Sequence, residues 1–169
     1  MMAIGPINRL SLDDFIATFA DIAEHSPWVA ARAAEQRPFA NRAAMIDAFQ
    51  QAVRGADEAE QLALLRAHPD LAGRAARAGQ LTSDSAREQK GVGLDTLSDD
   101  EFARFHTLNE AYKSRFGIPF IFAVKGATKH DILAAFEARL GATQQEEVMA
   151  ALTQVLRIIR FRLTDRVVD

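Results

Sequence analysis

The stretch Ser98-Asp99-Asp100-Glu101-Phe102-Ala103-Arg104-Phe105-His106-Thr107-Leu108-Asn109-Glu110-Ala111-Tyr112-Lys113-Ser114-Arg115-Phe116-Gly117 decides the fold class. Ser98 followed three residues later by Glu101 is a capping box, in which cap hydroxyl and N3 carboxylate satisfy each other's backbone N–H groups. Phe102, Phe105, Leu108, Tyr112 and Phe116 recur every three to four residues, the period of one buried helix face. Gly117 stands where a helix reverses into the left-handed C-terminal cap. The same punctuation repeats along the chain. Ser11 caps a stripe of Leu12, Phe15, Ile16, Phe19, Ile22 and Ala23, and Ser26-Pro27-Trp28 restarts a helix with Ser26 as its cap and Pro at its first position. Met45, Ala48, Phe49, Ala52 and Val53 run to a stop near Gly55, and a helix from about Asp57 to Ala67 must end at His68-Pro69, because Pro disfavours helical geometry before it. Thr128 opens a helix with Ile132, Leu133, Phe136 and Leu140 that ends at Gly141. Thr143-Gln144-Gln145-Glu146 is a further capping box, leading Met149, Leu152, Val155, Leu156, Ile159 and Leu163. The pattern predicts an all-α protein: a single multi-helix domain over residues 1–169, with no linker or repeat and with loose termini at 1–9 and 165–169.

One segment breaks the helical pattern. Ile118-Pro119-Phe120-Ile121-Phe122-Ala123-Val124 is a continuous apolar run between two helices, closed by Gly126. Such a run fits a buried strand or a buried helix alike, and with Pro119 near its start and Gly126 after it, it reads as an extended, buried loop after Gly117. Its main-chain groups have no neighbouring strand, so they need other partners, a bound ligand among them.

Composition narrows the chemistry. The chain has 169 residues, 49% hydrophobic and 25% charged, with a net charge of −3, which argues against a general nucleic-acid binder. It has no cysteine, which removes thiol nucleophiles, iron–sulfur clusters, thiolate zinc sites and disulfides. No segment approaches the ~20 apolar residues that span a bilayer. The N-terminal residues do not resemble a signal peptide, and Val167-Val168-Asp169 is not a peroxisomal Ser-Lys-Leu address. A cytoplasmic protein is expected.

Four histidines are available. His68, fixed at a helix end by Pro69, is placed to face a cleft and titrates where an acid/base catalyst must; the plain alternative is a histidine stabilised by the helix dipole. His25 precedes a helix cap, His106 and Glu110 form an i, i+4 pair, and His130 sits in a first helical turn, so these three read as structural or solvated. Thr82 to Gln89 is a short capped helix on which Ser85, Glu88 and Gln89 share one side, offering a hydroxyl, a carboxylate and an amide to a polar ligand, or forming a solvated turn. Gly91-Val92-Gly93 is too short for a phosphate loop, no metal-ligand spacing is present, and no Gly-x-Ser-x-Gly elbow occurs. Among the arginines of the last helix, Arg162 lies beside Leu163 and is the one placed to point inward and grip a carboxylate.

The chain resembles the 2-oxo-4-hydroxy-4-carboxy-5-ureidoimidazoline (OHCU) decarboxylases of urate degradation, from about Leu12 to Leu163. The matching pieces are His25-Ser26-Pro27-Trp28, Arg37-Pro38-Phe39, Ala67-His68-Pro69-Asp70-Leu71, Ser85 with Glu88-Gln89, Gly93-Leu94, Leu108-Asn109, Tyr112 and Phe116-Gly117-Ile118-Pro119-Phe120. The resemblance implies a homodimeric all-α enzyme without cofactor or metal that converts OHCU to (S)-allantoin and CO₂. It implies His68 as catalytic acid/base, and Glu88 is expected as a second catalytic group that pairs with the imidazole and raises its pKa. It implies a substrate pocket lined by Pro69, by Ser85, Ala86, Arg87, Glu88 and Gln89, and by the backbone of Phe120, Ile121, Phe122, Ala123 and Val124, with Arg162 contacting substrate. Two departures, Ile118 for a more usual Phe and Lys90-Gly91-Val92, leave those groups untouched. Alternative readings are a helical ligand-binding or interaction module without catalysis, and a related decarboxylase acting on another purine catabolite.

Overall fold

The computed structural model describes residues 1–169. Ten helices follow a two-residue strand β1 (Met2–Ala3): α1 (Ile4–Asn8), α2 (Leu12–Phe19), α3 (Trp28–Ala34), α4 (Arg42–Arg54), α5 (Glu58–Arg66), α6 (Arg74–Arg77), α7 (Ser83–Gly91), α8 (Asp99–Phe116), α9 (Lys129–Arg139) and α10 (Gln144–Arg166), with β2 (Val167–Val168) last. The all-α expectation holds, and no helix is long and apolar enough to cross a membrane. The chain divides into two compact units, Met1–Ala67 with Val155–Asp169, and His68–Gln154.

In the first unit, Ser11 caps α2 by accepting from Asp14 N–H, and Asn41 caps α4 by accepting from Ala44 N–H. Such caps contribute about 1 kcal/mol each. The core is aromatic: Phe15 lies 5.0 Å from Phe19, 6.1 Å from Phe39 and 6.2 Å from Phe49, ring centre to ring centre. Three expectations need correction here. Ser26 does not cap α3; its hydroxyl donates to Glu24 O (2.8 Å), and the cap position falls to Pro27. Leu12, at the start of α2, is half exposed, because one turn of stripe extends past the core edge. The termini are not loose: β1 pairs in parallel with β2, Arg42 N–H donates to Asp169 Oδ1 (2.6 Å), and Ile4, Ile7 and Val167 are buried. Two-residue strands carry almost no sequence signal, so this pairing was invisible in the periodicity.

In the second unit, the Ser98–Glu101 box opens α8 as read, and Thr128, read only as the start of a helix, forms a further box with Asp131 at the head of α9. Gly117 adopts φ +69, the left-handed conformation that ends α8, with its N–H donating to Lys113 O. The stripe of α8 meets α9 and the apolar run in one aromatic cluster. Phe120 stacks on Phe136 at 3.7 Å, and Tyr112 stands edge-on to Phe120 at 5.3 Å. Thr143 and Glu146 form the box that opens α10. Met149, placed on the apolar stripe by spacing, is instead 65% exposed on α10.

Candidate active site

His68 follows the end of α5, where Pro69 forbids a further turn, and is only 9% exposed. The loop it begins is tightly determined. Ala72 takes φ +52, a left-handed conformation that costs an alanine about 1–2 kcal/mol. A Cβ on Gly73 would stand 2.8 Å from Asp70 Cβ, so glycine is required for the close approach. Side chains from two helices hold this loop. The Gln89 carboxamide on α7 accepts from Ala72 N–H (2.9 Å) and donates to Asp70 O (3.3 Å). On α8, Asn109 Nδ2 donates to Leu71 O (2.9 Å) and Lys113 Nζ to Asp70 Oδ2 (2.8 Å). The bond to Asp70 and the neighbouring Glu110 carboxylate hold the Lys113 ammonium above its ordinary pKa.

On α7, capped by Thr82, Ser85 and Gln89 are buried and Glu88 is half-buried, as the shared-face reading requires. Ala86 and Arg87 are exposed on the other side, and Arg87 pairs with Asp84 (2.8 Å). Both ends of the Gln89 carboxamide engage the loop after His68, so the structure gives this residue a supporting task that spacing did not suggest.

The run after Gly117 is extended and buried, as read from its composition; Phe122 alone is part-exposed. The protein supplies several of the partners its backbone needs. Ala123 N–H donates to Gln154 Oε1 (3.0 Å), Ile121 O accepts from Arg139 (2.7 Å), and Val124 O accepts from Ala127 N–H (2.9 Å). The Phe120 side chain is core, stacked on Phe136 with the Arg139 guanidinium 4.4 Å over its ring. Arg139 is in turn bound to the Glu147 carboxylate, which also accepts from Tyr112 Oη. Burial and that hydrogen bond to Glu147 push the Tyr112 phenol well above its usual pKa of 10.0.

Arg162, in the first unit, points inward as its position beside Leu163 suggested and is 2% exposed. The carboxylate it faces is that of Glu24 (2.9 Å), itself 1% exposed, and the same guanidinium reaches Asp21 O and Ile22 O, both at 3.4 Å. Among the other histidines, His25 is exposed at φ +46 and His130 is exposed at the start of α9. Glu110 does not serve the pair with His106 read from spacing; it binds Lys113 (3.2 Å), which also carries Asp70. No group of three or more His, Asp or Glu side chains is arranged to hold a metal ion.

Sequence reasoning passed over Asn109, Lys113, Arg139 and Glu147 as site-building residues. A signal existed for Asn109: it lies four residues after Phe105, on the buried face of α8, where the period calls for an apolar side chain. Arg139 and Glu147 sit in different helices, and nothing in spacing brings them together.

A family model described as OHCU decarboxylase matches residues 8–164, and the chain belongs to that family. It is 41% identical over 165 residues to the 2-oxo-4-hydroxy-4-carboxy-5-ureidoimidazoline decarboxylase of Haloferax volcanii, a match covering 98% of this chain and 96% of that one. It is 38% identical to the uric acid degradation bifunctional protein PucL of Bacillus subtilis, over this whole chain but 33% of that longer protein. Among solved structures, an (S)-allantoin synthase superposes with a TM-score of 0.79 at 29% identity, over 98% of this chain and 54% of the other.

Proposed function

We propose that this protein decarboxylates OHCU to (S)-allantoin and CO₂, with His68 as the acid/base. The observation that carries the reading is a nine-tenths-buried histidine on a rigidly held loop, in a chain whose family match runs almost end to end. Loss of CO₂ breaks the C–C bond to the carboxylate, and the released electron pair moves toward the adjacent ring C=N. The substrate is therefore its own electron sink, so the chemistry asks for no cofactor or metal. The ring hydroxyl then gives up its proton as a carbonyl forms, a proton is delivered to one face of the ureido-bearing carbon, and the ring nitrogen that received the electron pair takes up one proton from water. His68 accepts the first proton and donates the second. Glu88, one helix away in sequence, orients the imidazole and stabilises its charged form.

Pro69, the segment Ser85-Ala86-Arg87-Glu88-Gln89 and the main chain from Phe120 to Val124 line the substrate pocket in this reading. A ureido-imidazoline presents alternating N–H and C=O groups, and an extended backbone offers the complementary series without a charged side chain. The assignment of Arg162 to substrate binding rests on the family resemblance. A homodimer in the cytoplasm, with no nucleic-acid or membrane partner, completes the proposal, and sedimentation equilibrium tests the dimer.

The test is to generate OHCU in situ from urate and follow loss of its ultraviolet absorbance with the circular dichroism of (S)-allantoin. Acceleration over buffer with one enantiomer formed supports the reading. An unaccelerated, racemic product sinks it and leaves a binding module or a decarboxylase of another purine catabolite. His68→Asn should lower kcat at least a hundredfold with helical content intact, the usual scale for losing an acid/base group.

A further inference from the structure

Asn109 is 1% exposed on the apolar face of α8, and its Oδ1 has no hydrogen-bond partner. A leucine there would continue the stripe without burying an unsatisfied acceptor. Polar residues kept against the local pattern, at a cost, mark a task elsewhere. The other end of the amide shows it: Nδ2 donates to Leu71 O, three residues after His68. One turn further along α8, Lys113 binds Asp70, and the two α8 side chains thus grip consecutive residues of the same loop. Between them and Gly73 lies Ala72, buried and held at φ +52. Strained backbone of this kind persists only where its surroundings over-determine it.

We propose that Asn109 and Lys113 are positioning residues for His68, holding Leu71 by its carbonyl and Asp70 by its carboxylate so that the loop keeps a conformation it would not keep alone. The inference rests on the decarboxylase reading. Pro69 fixes the chain between His68 and the gripped residues, so a shift of Asp70 or Leu71 is passed to the imidazole rather than absorbed. Neither side chain need touch substrate. A misplacement of about 1 Å at a reacting group costs up to a hundredfold in rate, while binding through other contacts survives.

The experiment measures kcat and KM for OHCU in the full chain with Asn109→Ala, Lys113→Met and Lys113→Arg, alongside thermal melts. Asn109→Ala is expected to lower kcat about tenfold or more, and Lys113→Met about fivefold, with KM within twofold of wild type. Lys113→Arg, which keeps a cation for Asp70, should recover most of the loss. Lys113 is partly exposed, so its replacement by Met tests the idea even if Asn109→Ala melts early. The proposal is overturned if kcat stays within twofold of wild type in both variants, if KM rises while kcat is kept, or if kcat falls only in step with the folded fraction. An inactive wild-type chain refutes the decarboxylase reading and this role with it; an active wild type with unaffected variants refutes the positioning role alone.

Discussion

Replacing Glu147 with Ala tests how the second unit holds its extended run. The Glu147 side chain is 2% exposed and Arg139 15%, and the carboxylate accepts from both Arg139 and Tyr112 Oη. Glu147→Ala strands two groups. Arg139 loses its counter-charge, and breaking a buried pair in this way costs about 3–5 kcal/mol; the residual exposure of Arg139 favours the lower end. Tyr112 Oη loses its acceptor, worth about 1–3 kcal/mol when the group stays buried. Arg139 remains in reach of Ile121 O (2.7 Å), which returns part of the loss. The sum is about 4 kcal/mol, and at about 2–4 °C per kcal/mol for a chain of this size the Tm should fall by about 8–16 °C. Circular dichroism melts and urea titrations measure it. The double variant Glu147→Ala/Arg139→Met removes the stranded charge and should be more stable than the single variant by about 1–2 kcal/mol. A single variant that melts within 3 °C of wild type, or a double variant less stable than the single, would refute the buried-pair argument.

Three further outcomes follow from named contacts. Tyr112 is the chain's one tyrosine, so an absorbance titration reads it alone; the native protein should show no tyrosinate at pH 11, while the urea-unfolded chain titrates near 10. Its folded pKa is raised, so the stability it adds is present below pH 10 and lost above, and a native titration near 10 would contradict the packing described. Asp21 is held below its usual pKa, first by hydrogen bonds from Arg166 at 2.7 and 2.8 Å. Its contribution is therefore present above about pH 4 and lost as pH falls through the lowered value. Asp21→Asn should cost well under 1 kcal/mol at pH 7, since the pair is solvent-exposed, and the cost should shrink as pH falls through the lowered value; a loss that does not change with pH would exclude the ion pair as cause. Arg162→Met should lower urea stability by about 3–5 kcal/mol, because Glu24 stays buried without that guanidinium, and Glu24→Gln in the same chain should restore part of it. A KM for OHCU that is unchanged in the folded double variant would remove Arg162 from substrate binding.

What the sequence by itself determined is whatever local physics writes into neighbouring residues. Caps at Ser11, Ser98, Thr128 and Thr143, the left-handed stop at Gly117, the break at Pro69 and the three-to-four-residue stripes each bind groups within one helical turn, so each was legible. The run from Ile118 to Val124 was legible on further local signals: a continuous apolar stretch fits a buried strand or a buried helix alike, and Pro119 near its start with Gly126 after it favoured the extended form. His68 stood out because Pro69 fixes it, and Ser85 and Gln89 because helical spacing gives them one face. What only the tertiary structure decided are contacts between residues far apart in sequence, where periodicity is silent. The pairing of Met2–Ala3 with Val167–Val168 tied down ends that read as loose. Glu24 met Arg162, and Tyr112 met Arg139 and Glu147. Ser26 was drawn off its cap by the Glu24 carbonyl. The loop after His68 was fastened by Gln89, Asn109 and Lys113. A buried polar group must find its partner wherever the fold puts one, and that choice is made by packing, not by spacing along the chain.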